Sequence, residues 1–147
     1  MKIIISIIVL IIPFSLSSHE VKLDNETTEK IINTRMKKMS IINKASQKIY
    51  KQLNSPDFQL IKKDILKLKH AAIDFKDLFP INSNGGKAKN LIWENKELFD
   101  KYNDNFIKDI DFIEINIKEN DIQALRISFN NMSANCGSCH KKFKNKK

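Results

Sequence analysis

From residue 24 to residue 144 the apolar side chains recur at alternating intervals of three and four. That is the repeat of one helix face, and no stretch alternates every second residue as a half-buried strand does. The pattern restarts four times. Ile32, Met39, Ile42, Ile49 and Leu53 share one face with Arg35 and Ser46. Phe58, Ile61, Ile65, Leu68, Ala72, Phe75 and Phe79 make a second, almost purely apolar seam. Phe99, Tyr102, Phe106, Ile110, Ile113 and Ile117 make a third. Ile122, Leu125, Phe129, Met132, Cys136, Cys139 and Phe143 make the fourth. A helix with one apolar stripe must bury it against others, so the chain is expected to be all-α.

Local signals set the expected boundaries. The first helix is expected over residues 24–54, with Asp24, Asn25 and Thr27 as cap candidates and Glu26 and Glu29 in the first turn. Asn54-Ser55-Pro56 ends it and opens a second helix that runs to Phe79, where Pro80 stops it. Residues 80–92 carry Gly85-Gly86 and read as a loop across one end of the molecule; they lack the Gly-Lys-Ser/Thr continuation of a phosphate-binding loop. The third helix is expected from Trp93 to Lys118. Asn120-Asp121 then turns the chain into a fourth, ending near Lys144. Helices of about 24 to 31 residues, roughly 36 to 46 Å long, joined pairwise by short turns, predict an antiparallel up-down-up-down four-helix bundle.

Residues 1–18 read as a signal peptide. Lys2 leads an apolar run from Ile3 to Leu16, and Ser15 and Ser17 stand at the spacing for cleavage after Ser17, with Ser18 as the neighbouring alternative. Residues 19–147 then form a single domain, and the expected location is periplasmic. Lys and Arg outnumber Asp and Glu 26 to 17, for a formal charge of +9. The lysines are spread along the chain as on a solvated helical surface. Export argues against nucleic acid as a partner. No nucleophile–base pair or paired carboxylates suggest hydrolysis, so the chain is not read as an enzyme.

The chemistry is concentrated in Cys136-Gly137-Ser138-Cys139-His140, a C-x-x-C-H pentapeptide. Three residues apart on a helix, the two thiols lie on one face and can add to the two vinyl groups of one porphyrin. His140 follows at once and can reach the iron from the same side, which is the attachment pattern of a c-type haem. A thioredoxin-like redox pair would need a βαβ context, and structural zinc usually takes four Cys or His ligands. The rest of the chain offers only His70 and His19, neither at ligand spacing. A plain disulfide is the remaining alternative.

Taken in order, three elements resemble the cytochrome c′ family, the class II c-type cytochromes. The first is Arg35 with Met39 four residues on. The second is Leu78-Phe79-Pro80, the glycine-containing loop, then Ile92-Trp93 and Phe99. The third is Cys136 to His140 followed by Lys141-Lys142-Phe143-Lys144. The resemblance spans nearly all of residues 19–147. It implies an exported bundle with one covalent haem c, thioether bonds at Cys136 and Cys139, His140 as the proximal iron ligand, and Arg35 beside a haem propionate. It also implies homodimers formed through the first two helices. Phe143-Lys144 departs from a frequent Tyr-Arg, and Met36 stands where Gln is common.

Met39 divides the family's two functional types. As a sixth iron ligand it would make an electron carrier for a periplasmic redox partner protein. Turned away, it would leave an apolar distal pocket for a small diatomic gas, nitric oxide or carbon monoxide. Methionine is flexible enough for both. A third reading, a non-haem exported bundle that binds a metal or a partner, treats the pentapeptide as coincidence.

Overall fold

Four of the helices begin where a short polar side chain takes up backbone N–H groups that the first turn leaves free. Asp24 accepts from Thr27 N at 2.7 Å ahead of α1 (Asn25–Gln52). Asp57 accepts from Gln59 N and Leu60 N at 2.9 and 3.1 Å ahead of α2 (Phe58–Lys76). A single turn, α3 (Leu91–Glu94), precedes α4 (Lys96–Glu119), which Asn95 caps through Leu98 N at 3.2 Å. Asp121 caps α5 (Ile122–Phe143) through Gln123 N and Ala124 N. The computed structural model describes residues 23–146; the signal peptide, its cleavage site and His19 lie outside the described residues.

Three boundaries differ from expectation. The second helix starts at Phe58 because Asp57, not Pro56, is the cap. It stops at Lys76, where Leu78 N closes a tight turn onto Phe75 O. The helix expected from Trp93 is broken at Asn95 (φ −138°, ψ 62°), whose side chain caps the following helix by accepting from Leu98 N. Trp93, in the turn before the break, donates its indole N–H to Pro80 O at 2.8 Å.

The four long helices form an antiparallel up-down-up-down bundle, as the seams require. The main core joins Ile42 and Ile49 of α1, Ile61, Ile65 and Leu68 of α2, Ile110 and Ile113 of α4, and Leu125, Phe129 and Met132 of α5. A second cluster at the other end is aromatic. Phe79 meets Phe99 edge-on at 4.6 Å, Phe99 meets Phe143 at 5.2 Å, and Ile92 fills in beside them.

Helix pairing is uneven around the bundle. α1 packs closely on α2, α2 on α4 and α4 on α5, but α1 and α5 have no comparably close pairing. They are tied at one end, where Arg126 donates from Nε and Nη2 to Leu53 O at 3.1 and 2.8 Å and the Tyr50 and Phe129 rings lie 6.1 Å apart. At the opposite end the 80–90 loop joins the two. A Cβ on Gly85 (φ +140°) would stand 2.6 Å from Ile32 Cδ1, so the loop can lie this close to α1 only without a side chain. The same loop is stitched to the end of α5 by Lys89 N to Phe143 O and Asn145 N to Lys87 O, both 2.9 Å, around an Ala88–Lys144 bridge.

Candidate haem site

Arg35 lies on the apolar face of α1 and is 6% exposed. Its Nε donates to Leu78 O at 2.6 Å, and its Nη2 donates to Ser83 Oγ. The Ser83 hydroxyl in turn donates a hydrogen bond to Pro80 O at 2.7 Å. The guanidinium carbon stands 4.3 Å over the Phe79 ring and 5.3 Å from that of Trp93. Nη1 is buried with no acceptor. Burial lowers the Arg35 pKa to about 10, because no carboxylate offsets the lost hydration. Ser83, fully buried, was not singled out in the sequence. It reads there as one more polar loop residue, and nothing local marks it as an arginine's partner.

Cys136 and Cys139 are both free and half-buried on the inward side of α5, and Cys139 packs against the aromatic cluster. Burial pushes the Cys139 thiol up to about 11, helped by Cys136 beside it. Burial, then the charge of Asp109, raises Cys136 as well. His140 is exposed on the flank of α5. Desolvation of the part of its ring that faces the protein, then the nearby Lys144 charge, holds its pKa below the ordinary 6.5, so the imidazole is neutral at pH 7. It opens onto a cleft of about 580 Å³.

Met39 is half-buried and packs against the main core. Its height follows from helix geometry. Measured from the Leu53–Arg126 tie, Met39 is about 21 Å along α1 and His140 about 21 Å along α5, at 1.5 Å per residue. By this count the two stand at similar heights along α1 and α5. Arg35 is one turn further from the tie, toward the loop. Met39 packs with the main core, whereas Cys139 and the rings that hold Arg35 belong to the aromatic cluster. His70 is exposed on α2 and takes no part. Among the described residues no group of three or more His, Cys, Asp or Glu side chains is arranged to hold a metal ion unaided.

The family model "Cytochrome C'" matches residues 30–144. Comparison with curated proteins returned no match. Among solved structures, a cytochrome c′ superposes with a TM-score of 0.77 at 20% identity, covering 80% of this chain and 97% of that one. A nitric oxide complex of a point variant of cytochrome c prime from Alcaligenes xylosoxidans gives 0.78 at 22%, covering 82% and 97%. A carbon monoxide-bound variant of the same protein gives 0.77 at 21%, covering 81% and 97%. At such identities these likenesses speak to the fold, an all-α four-helix bundle, and the matched family model speaks to the lineage. The chain belongs to the cytochrome c′ family, whose members carry one covalent c-type haem and its iron.

Proposed function

We propose that this chain is an exported single-haem electron carrier, with a signal peptide at residues 1–18 and one bundle domain at residues 19–147. Cys136 and Cys139 carry the thioether bonds, His140 supplies the proximal imidazole, Met39 supplies the sixth ligand, and Arg35 neutralises a propionate. Once bound, the haem supplies a one-electron ferric/ferrous couple. The residues fit the group on three counts. Two unpaired thiols share one helix face, a neutral imidazole adjoins them, and the Arg35 Nη1 is a buried cationic donor that lacks an anionic acceptor. No helix among the described residues is long and apolar enough to cross a membrane.

What supports electron transfer is that helix rise sets Met39 and His140 at similar heights along α1 and α5. A thioether and an imidazole at one height on opposite helices suit an axial pair that keeps its ligands in both oxidation states. The test is an optical spectrum of the haem-loaded protein, ferric and ferrous, with and without carbon monoxide. The expected result is a low-spin spectrum with a thioether–iron band that carbon monoxide leaves unchanged, and Met39→Leu should turn it high-spin and carbon monoxide-sensitive. A wild-type spectrum that is already high-spin overturns the assignment of Met39.

A second reading has its own support. The solved neighbours include nitric oxide and carbon monoxide complexes, and Met39 here packs against the core rather than standing free. In that case Met39 lines an apolar distal pocket and the partner is a diatomic gas. In neither reading is the chain an enzyme. Homodimer formation through α1 and α2 belongs to the same proposal; Ile41, Leu66 and Ile73 are exposed apolar side chains there. Sedimentation of the haem-loaded protein checks it.

A further inference from the structure

Asn84 is the one asparagine of the chain that is followed by glycine. An asparagine side chain is open to attack by the backbone nitrogen of the next residue, and a glycine there puts no side chain in the way. Local structure decides which asparagines can react. Those inside the helices, such as Asn33, Asn43, Asn105 and Asn130, precede nitrogens committed to the helix ladder. Asn82 precedes Ser83 N, which donates to Pro80 O at 3.3 Å, and Asn120 precedes Asp121 N, which donates to Asn116 O at 3.1 Å. Gly85 N has no acceptor among the described residues, and Asn84 is exposed to water. The glycine is not exchangeable for a bulkier neighbour, since a Cβ there would stand 2.6 Å from Ile32 Cδ1. The fold therefore keeps a labile pair where the loop lies on α1. One contact restrains it: Asn84 Nδ2 donates to Asn90 Oδ1 at 3.1 Å.

We propose that Asn84-Gly85 is a self-modification site, deamidating without an enzyme, and that the hydrogen bond to Asn90 sets its rate. Gly85 N, having lost its proton to base, bonds to Asn84 Cγ. The Cγ–Nδ2 bond breaks, and the side-chain nitrogen leaves as ammonia with a proton from water. Water then opens the cyclic imide at either carbonyl. Opening at Cγ leaves an aspartate at position 84. Opening at the main-chain carbonyl leaves an isoaspartate, whose chain runs on through Cβ and Cγ and is one carbon longer. Ammonia is lost, water is gained, and nothing is oxidised or reduced. Either product carries a carboxylate, which cannot donate to Asn90. The longer chain also disturbs the contact with Ile32 and the neighbouring Ser83, which holds Arg35 Nη2. Because the loop joins α1 to the end of α5, the modification loosens that join.

The test incubates the haem-loaded protein at pH 8 and follows its peptides by mass spectrometry. The peptide that holds Asn84 should gain the mass difference between water and ammonia and split into two chromatographic forms. The isoaspartate form should accept a methyl group from an isoaspartyl methyltransferase. Conversion should slow at pH 6, where less of the Gly85 nitrogen is deprotonated. Asn90→Ala should speed it at least about twofold, the contribution of one exposed hydrogen bond. The Asn90 side chain makes no capping bond to the turn it precedes, so that variant keeps the fold. Asn84→Gln should abolish the conversion, and Asn54, which precedes Ser55, should stay intact over the same time. In thermal melts the isoaspartate fraction should unfold below fresh protein, and also below Asn84→Asp, which supplies the charge on a chain of ordinary length. An Asn84 peptide that stays intact, or Asn54 converting as fast, overturns the site. An unchanged rate in Asn90→Ala overturns the restraint, and an isoaspartate fraction that melts with fresh protein overturns the loosening.

Discussion

Arg35 is held by a carbonyl, a hydroxyl and two aromatic rings, yet one of its terminal nitrogens is left without an acceptor. Substituting Ala strands Ser83 Oγ and Leu78 O without their donor, and should cost the haem-free protein about 2–3 kcal/mol, read as a lower urea midpoint. Arg35→Lys should recover only part of this, because an ammonium lacks the planar fork that reaches Leu78 O and Ser83 Oγ together. Cys139 gives a pH-dependent counterpart. Its pKa is raised from 9.0 to about 11, so the fold favours the protonated thiol. Above about pH 9 the unfolded chain sheds that proton first, and the haem-free protein loses stability as pH climbs toward 11. Iodoacetamide at pH 8 should alkylate Cys139 more slowly in the folded haem-free protein than in urea, since the thiolate is the reactive form. Arg35 was legible in the sequence, because a charge on an otherwise apolar stripe demands a reason. Ser83 was not, because its role exists only once the loop folds back over α1.

At the level of elements, the apolar seams were legible nearly residue by residue, since burial of one stripe is a condition on periodicity. What periodicity cannot report is where a local side chain outbids the helix. Asn95 breaks an otherwise continuous pattern by capping Leu98 N. Asn95→Ala should cost about 1 kcal/mol. The loop was legible as a loop, but not its tight fit against Ile32 or its stitching to the end of α5, which join residues far apart in the chain. Gly85→Ala meets Ile32 and a backbone angle that L-residues rarely adopt, and should destabilise by roughly 2 kcal/mol. Adding Ile32→Ala removes the clash but not the backbone strain, so the double variant should recover only part of the loss in thermal melts.

For the molecule as a whole, the uneven packing matters more than the core. Three sides of the bundle are closed by close helix pairing, whereas α1 and α5 meet through the shared core and are tied at their ends. Without haem, amides of α1 around Met39 and of α5 around Cys136 should exchange faster with deuterium than those of α2 and α4, and attachment should slow them. The tie near Leu53 is also a pivot for relative tilt of these helices, far from Met39 and His140. At about 21 Å from the pivot, one degree of relative tilt changes the gap between Met39 and His140 by about 0.4 Å. On the proposed ligation an iron–sulfur bond would tolerate little of that, so the hold of Met39 would be decided in part at the pivot. Arg126→Ala, which touches nothing in the haem site, should therefore raise the rate of carbon monoxide uptake, making a remote arginine a control on ligand access.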